Sequence, residues 1–311
     1  KKGRKPMSEP NMSETKTRSG FVTLLGATNA GKSTLVNQLV GSKVSIVSHK
    51  VQTTRSLVRG IITEGDTQIV LVDTPGIFKP RRRLDRAMVS TAWSGAKDAD
   101  IVLFIVDAER GFAGDAGAIL DSLKDSKARN VLVLNKVDRV DPPKLLDLAG
   151  YAAQTAKFEK VFMVSALNGS GCKDLVNWLS QALPEGPWFY PEDEISDMPM
   201  RSLAAEITRE KIYERLHQEL PYHSHVETEK WEDMKNGDVR IQQVIYVERD
   251  SQRKIVLGHK GETIKAIGQS SRMELGKIFE RKVHLFLFVK VRENWGDDPE
   301  RFREMGLEFG S

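Results

Sequence analysis

Residues 26–33 read GATNAGKS: two glycines bracket four residues and precede a lysine and a hydroxyl. Gly26 and Gly31 allow a tight turn whose backbone N–H groups, those of Asn29, Ala30 and Thr34 among them, face phosphate oxygens. Lys32 has the reach and charge for β- and γ-phosphates, and the Ser33 hydroxyl suits Mg²⁺. DTPG follows at 73–76. Asp73 can hold Mg²⁺ through water. Gly76 can offer its N–H to a γ-phosphate and swing when that phosphate leaves. NKVD at 135–138 selects the base. The Asp138 carboxylate can accept two hydrogen bonds from the ring N–H and exocyclic amine of guanine, a donor pair that adenine lacks on that edge. Asn135 is expected at the other edge of the base, with the Lys136 stem over its face. SAL at 165–167 adds Ser165, Ala166 and Leu167, with the Ala166 N–H aimed at the guanine carbonyl. In this order the four motifs point to GTP and GDP as ligands.

Each motif sits where an apolar run ends. FVTLLG (21–26), TQIVLVD (67–73), DIVLFIVD (100–107), NVLVLN (130–135) and KVFMVSA (160–166) are compact and β-branched, as strands buried on both faces of a parallel sheet are. Amphipathic stretches near 84–96, 113–127, 142–154 and 171–183 alternate with them, and GKSTLVNQLVG opens the first helix. The alternation predicts an α/β domain with a mostly parallel, doubly wound sheet over 21–183. RSLVRGIITEG (55–65) predicts an edge strand in a hairpin with the next strand. The polar residues 1–20 read as a flexible tail. PEGPWFYPEDEISDMP (184–199), with four prolines and five acids, reads as a linker to a second domain over 200–311.

Two domains suit a chain of 311 residues. No apolar run reaches the ~20 residues that span a bilayer. The single cysteine, Cys172, allows no internal disulfide and fits a reducing cytoplasm. The net charge of +4 arises in the tail, where six bases meet two acids; beyond residue 20 the two signs are equal in number. The basic pI is therefore no argument for nucleic-acid binding, which has to rest on where the charges lie. No internal repeat is present, which excludes a tandem pair of nucleotide domains.

The charges are placed unevenly. Residues 200–311 hold twenty of each sign, yet 249–292 hold eleven bases and four acids. That stretch contains KIVLGHKGETIKAIG, read as a short strand, a Gly258-His259-Lys260-Gly261 loop, and a helix with Ile264, Ile267 and Gly268. A G-x-x-G loop of this kind lets the backbone approach single-stranded RNA and clamp about four nucleotides. Side chains at Gly258 and Gly261 are expected to clash; His259, Lys260 and Lys265 are the expected RNA contacts. A helix over 200–220, strands in YHSHVETEKW and VRIQQVIYVERD, a helical stretch to about 280 and the strand KVHLFLFVKV (282–291) complete the domain. His223 and His225 fall on one face of the first strand. With no third ligand in view, they read as surface histidines and not as a metal site.

GATNAGKS, DTPG, NKVD and SAL resemble, in order, the motif set of small GTP-binding proteins of the Ras-like fold. The α+β domain with the G-x-x-G loop resembles the prokaryotic type of KH domain. Together, from about residue 20 through VKVRENWGDDPERFREMG, they resemble the Era family of bacterial GTPases. The resemblance implies a GTP-hydrolysing switch that uses Mg²⁺ and binds the 3′ end of 16S rRNA in assembly of the small ribosomal subunit. It also implies peripheral contact with the inner membrane from the cytoplasm; a monomer is expected. The TTR pattern implies Thr54 as the switch ligand of Mg²⁺, although the residues alone leave Thr53 and Thr54 open. Ile77 stands where many GTPases place a glutamine that orients the attacking water, and it has no polar atom to do so. In a related group of bacterial GTPases an asparagine in the phosphate loop helps hold K⁺. Asn29 thus has two readings, a K⁺ ligand or a loop stabiliser. Ala27-Thr28 stand where the family often has Arg-Pro. Lys79, Arg81, Arg82, Arg83 and Arg86 also have two readings, a solvated loop or a partner surface that changes with nucleotide state. Two other classes are weaker. An RNA-binding scaffold without turnover would not need the Lys32, Ser33 and Asp73 set. A tRNA-modifying GTPase needs a modification domain, for which the segments above leave no room.

Overall fold

The computed structural model describes residues 16–48, 50, 53–217 and 220–308. Residues 1–15 of the expected tail lie outside the described residues. The rest of that tail is not a tail: β1 runs over Arg18–Leu25. It starts early because Ser19 is buried and donates to the Pro187 carbonyl at 2.6 Å, and Gly20 packs against Leu183 and Asp100.

The first sheet continues with β2 (Val58–Glu64), β3 (Thr67–Asp73), β4 (Ile101–Asp107), β5 (Asn130–Asn135) and β6 (Lys160–Val164). Its order is β2-β3-β1-β4-β5-β6, with every pair parallel except the β2–β3 hairpin. β3, β4 and β5 are buried along their whole length, which is why they read as unbroken apolar runs. On one face, α1 (Lys32–Val40) and α5 (Cys172–Ala182) bury Leu35, Val36, Leu175 and Leu179 against the sheet. On the other, α2 (Arg83–Lys97), α3 (Asp115–Ser122) and α4 (Pro142–Thr155) bury Ala92, Ile119, Leu120, Leu145 and Ala152. α3 is shorter than the expected 113–127. Its end tightens into i→i+3 bonds, Leu123 N to Leu120 O and Lys124 N to Asp121 O.

Residues 184–199 form no long element, but they are docked. Ile61 N donates to the Ile195 carbonyl at 2.9 Å, and Gly60 bridges Ser196, so the segment pairs with the free edge of β2. The Gln68 amide bonds the backbone of Phe189 and Tyr190, and the Phe189 ring lies 4.8 Å from that of Phe21.

The second domain contains α6 (Met200–Arg215), β7 (Ser224–Asp233), β8 (Val239–Val247), α7 (Asp250–Leu257), α8 (Glu262–Ile278), β9 (Val283–Val291) and α9 (Pro299–Glu304). β7 and β8 are antiparallel, β8 and β9 parallel. α6 ends at Arg215, short of the expected 220, where Leu216 turns extended. The KIVL of KIVLG is helical, contrary to the expected strand, and Gly258 ends the helix. The Gln252 side chain accepts the N–H groups of Glu248 and Arg249, capping α7 ahead of that run. The G-x-x-G loop thus joins two helices. Ile212, Leu216, Val226, Ile245, Val256 and Ile267 form the core beneath it. The domains meet where Leu84, Ala87 and Met88 of α2 pack on Trp295, Phe302 and Leu307.

Candidate nucleotide site and RNA face

The nucleotide motifs meet at the carboxyl edge of the first sheet, where such crevices form. GATNAGKS leaves β1 and enters α1. A Cβ on Gly31 would lie 2.2 Å from Asn135 Nδ2, and one on Gly26 would lie 2.5 Å from the Ile105 carbonyl. Glycine at both positions lets the loop pass close to its neighbours. Asn29 adopts a left-handed φ of 60°. The Lys32 ammonium donates to the carbonyls of Gly26 and Ala27 at 3.1 and 2.9 Å. Burial lowers its pKa to about 8, against the opposing pull of the Asp73 charge. Thr34 lines the same cleft.

Four oxygen-bearing side chains converge beside Lys32. Ser33 Oγ donates to Asp73 Oδ2 at 2.6 Å, and Ser45 Oγ donates to the same oxygen at 2.7 Å. Thr54 Oγ1 lies 2.9 Å from Ser33 Oγ and 3.5 Å from Asp73 Oδ2. Asp73 is fully buried, and its Oδ1 has no hydrogen-bond partner among the described residues. Burial pushes its pKa up, partly offset by the hydrogen bond from Ser33. An orphaned buried carboxylate oxygen among hard hydroxyl oxygens is a donor set that fits Mg²⁺. Thr53 stands apart; its hydroxyl donates to the Lys50 carbonyl at 2.9 Å. Sequence reasoning misses Ser45, because nothing in SKVSIVS distinguishes it from Ser42 or Ser48.

Gly76 abuts the phosphate loop, where a Cβ would sit 2.8 Å from Thr28 Cα. Ile77 N donates to the Gly26 carbonyl at 3.0 Å, while its side chain is buried in the core with Ala92 and Phe104. Lys79, Arg81, Arg82 and Arg86 are exposed around this segment. The Asp85 carboxylate accepts the N–H groups of Arg81 and Arg82 at its start.

Beyond the phosphate loop a cavity of about 380 Å³ is lined by Lys136, Asp138, Ser165, Ala166 and Leu167. Asn135 bridges the phosphate loop and SAL. Its Nδ2 donates to the Ala30 carbonyl at 3.0 Å, and its Oδ1 accepts the Ala166 N–H at 2.9 Å. Asn135 and the Ala166 N–H bond each other here, so they tie GATNAGKS, NKVD and SAL into one unit. Lys136, at φ 65°, donates to the Asn29 carbonyl and to Asp107 at 3.0 and 2.7 Å. Its stem, not its charge, is what it offers the cavity.

In the second domain, Gly258 has φ 75°, and a Cβ there would lie 2.1 Å from Thr263 Oγ1. Gly261, at φ 79°, has open space around it. Within the chain, then, both glycines are held at left-handed φ, and only Gly258 is also crowded by a neighbour. His259, Lys260 and Lys265 are all exposed. His223 and His225 are not a surface pair. His223 precedes β7 and bonds Glu248 at 2.7 Å, whereas His225 is buried and stacks on Trp295. Burial also lowers the His225 pKa. His225, Glu227 and Glu304 approach one another, but the Arg301 guanidinium pairs with both carboxylates and takes the place a cation would occupy.

Residues 21–136 match the family model described as 50S ribosome-binding GTPase, and residues 219–296 match the KH domain. The GTPase Era of Brucella suis is 72% identical over 295 residues, covering 95% of this chain and 95% of its own. The GTPase Era of Mesorhizobium japonicum is 73% identical over 293 residues, 94% of each chain. Among solved structures, Era in complex with MgGDPNP and nucleotides 1506–1542 of 16S ribosomal RNA superposes with a TM-score of 0.88. It is 36% identical, and the match covers 93% of this chain and 99% of that one. A point variant of Aquifex aeolicus Era bound to GDP·AlF4⁻ gives 0.87 at 35% identity over the same shares. A Ras-like nucleotide domain, a KH domain behind it and near-full-length identity to these relatives leave one conclusion: the chain belongs to the Era family of GTPases and is a GTP hydrolase.

Proposed function

We propose that this GTPase binds the 3′ end of 16S rRNA through its KH domain during assembly of the small ribosomal subunit. GTP and Mg²⁺ order residues 48–60 and 76–88; hydrolysis releases them and weakens the grip on RNA. The observation that carries the reading is the pairing of two sites in one chain. One is a cluster of buried Lys32, Thr54 and Asp73 with half-buried Ser33 beside a base-sized cavity; the other is an exposed basic G-x-x-G loop. The rRNA segment is supported by the related Era–RNA complex at 36% identity.

In this reading water attacks the γ-phosphorus and GDP leaves. Backbone N–H groups of Asn29, Ala30, Gly31 and Thr34, at the N-terminus of α1, receive the phosphates. The Lys32 ammonium exchanges its two carbonyl partners for β- and γ-phosphate oxygens, where it stabilises the charge that builds as the bond breaks. Ser33, Thr54 and Asp73 would hold Mg²⁺, which supplies further positive charge there. Gly76 offers its N–H to the γ-phosphate. Asp138 reads guanine, Lys136 covers it, and Asn135 with Ser165, Ala166 and Leu167 fixes the walls. Ile77 packs inward, so no side chain at that position orients the water. K⁺ held by Asn29 is proposed to add charge beside the β- and γ-phosphates. Equal turnover in potassium and sodium buffers would remove K⁺ from this account.

Gly258 and Gly261 bring the loop backbone to the RNA, with His259, Lys260 and Lys265 on its phosphates and bases. The domain limits proposed are 21–183 for nucleotide, 184–199 for the connection and 200–311 for RNA. A monomeric cytoplasmic state with peripheral inner-membrane contact is proposed on family membership alone. Among the described residues no helix is long and apolar enough to cross a membrane. The test is RNA crosslinking mapped to nucleotides in GTP-analogue and GDP states. Crosslinks are expected at the 3′ end of 16S rRNA and to depend on the nucleotide; crosslinks spread without a preferred site would refute the assignment.

A further inference from the structure

The loop that supplies Thr54 is held by the KH domain as well as by the nucleotide site. Lys43 pairs with Glu210 at 2.6 Å and with Glu274, so it reaches both α6 and α8. Val47 N donates to Glu210 Oε1 at 2.8 Å. The Lys50 ammonium donates to the carbonyls of Tyr213 and Leu216, at the end of α6. The last tether is the deepest. Arg55, next to Thr54, is 5% exposed and enters a socket of the KH domain. Its Nη1 donates to the Ser224 carbonyl at 2.9 Å. Its Nη2 lies 3.2 Å from Tyr213 Oη and 3.3 and 3.4 Å from the carbonyls of Pro221 and Tyr222. The guanidinium also sits 5.4 Å from the Trp295 ring centroid.

The chemistry of this socket is specific. Among the described residues Arg55 hydrogen-bonds only neutral oxygens, so the contact is a planar fork matched to several acceptors and not an ion pair. The three carbonyls lie in the short run that leads into β7, and all three must be presented together. A displaced KH domain takes them away at once, and the guanidinium then turns to water. Adjacent Cα atoms are ~3.8 Å apart, so fixing Arg55 limits where Thr54 can lie. Thr54 in turn lies against Ser33 and Asp73.

We propose that Arg55 is a positioning residue that makes the fit of Thr54 to the metal cluster depend on the KH domain being docked. The inference rests on the assignment of Thr54 to Mg²⁺ made above. A docked KH domain holds Thr54 at the cluster and favours the triphosphate. By reciprocity, the Mg²⁺-bound triphosphate favours docking. GDP, which does not need Thr54, is held equally well in either case.

The test uses the full chain and measures binding rather than turnover. A fluorescent non-hydrolysable GTP analogue and a fluorescent GDP are titrated over a range of Mg²⁺ concentrations. The proteins are wild type, Thr54→Ala, Arg55→Ala and Arg55→Lys. Both Arg55 variants are expected to need about tenfold more Mg²⁺ for half-maximal binding of the GTP analogue, with GDP affinity unchanged. Arg55→Lys keeps the charge and the stem, so it serves if Arg55→Ala does not fold, yet its ammonium cannot span the socket. A general structural defect would weaken both nucleotides together. The proposal is overturned if Thr54→Ala raises the Mg²⁺ requirement while a folded Arg55→Lys keeps the wild-type one. If Thr54→Ala itself leaves the requirement unchanged, the metal assignment of Thr54 is wrong, and the role of Arg55 falls with it.

Discussion

The nucleotide cleft and the G-x-x-G face, both proposed to meet phosphate, are built in opposite ways. In the cleft, Lys32, Asp73, Asn135 and Ser165 are all buried, and Asp73 and Asn135 bond motifs far apart in the chain. On the RNA face, His259, Lys260 and Lys265 are exposed, and shape comes from two positive-φ glycines and a positive-φ lysine. A buried polar lattice pays heavily for any missing member, because its partners stay buried and unpaired. An exposed loop depends on backbone form and on charge that salt screens. Damage in the cleft should therefore reach nucleotide binding or stability, and damage on the face should fall on RNA binding alone.

The largest effect is expected from Asp138→Ala. Removing the carboxylate that reads guanine should lower GTP and GDP affinity on the order of a thousandfold. Competition titration with adenine and guanine nucleotides checks it; retained guanine preference would place base recognition elsewhere. Gly258→Asp comes next. The new side chain meets Thr263 and sets a carboxylate against RNA phosphate, a like-charge contact that should lower RNA affinity roughly a hundredfold. Electrophoretic mobility shifts should register the loss while guanine binding stays intact. If RNA binding survives, the loop is not the contact.

Asn135→Ala tests whether the cleft really acts as one unit. It leaves the Ala30 carbonyl and Ala166 N–H without partners and should cost about 2 kcal/mol in denaturant unfolding. A loss in nucleotide affinity without a loss in stability would mean that Asn135 faces the base instead. The smallest effect is a pH dependence. Lys32 has a pKa near 8 before phosphates arrive, and an anionic partner raises it. Binding thus takes up a proton, and affinity falls as pH rises through 8. GDP binding should weaken about tenfold between about pH 7 and 9. A calorimetric series in buffers of different ionisation enthalpy would detect the uptake, and Lys32→Met should abolish it.

The same contrast governs what the sequence makes legible. GATNAGKS, DTPG, NKVD and SAL are local strings at strand ends, and the α/β alternation around them is equally local, so fold and ligand can be read without coordinates. The roles of Ser45, Asn135 and Arg55 depend on partners far along the chain, and no spacing rule reaches them. KIVLG reads as a strand because its short apolar, β-branched run carries no period. The capping side chain of Gln252 decides the matter from outside the run. Crowding at Gly258 and openness at Gly261 look identical as letters.

The docked connection at 184–199 bears on how the two halves can be separated. Its pairing with Gly60 and Ile61 gives β2 a neighbour on its outer side. A nucleotide domain cut at residue 183 would bare that strand and the Phe21 ring, and it would present an open template for self-association. A cut after Met198 keeps the cover in place. The joint about which the RNA-binding half can pivot then shrinks to the few residues ahead of α6, which makes the connection a strap fastened along its length and hinged at its last link.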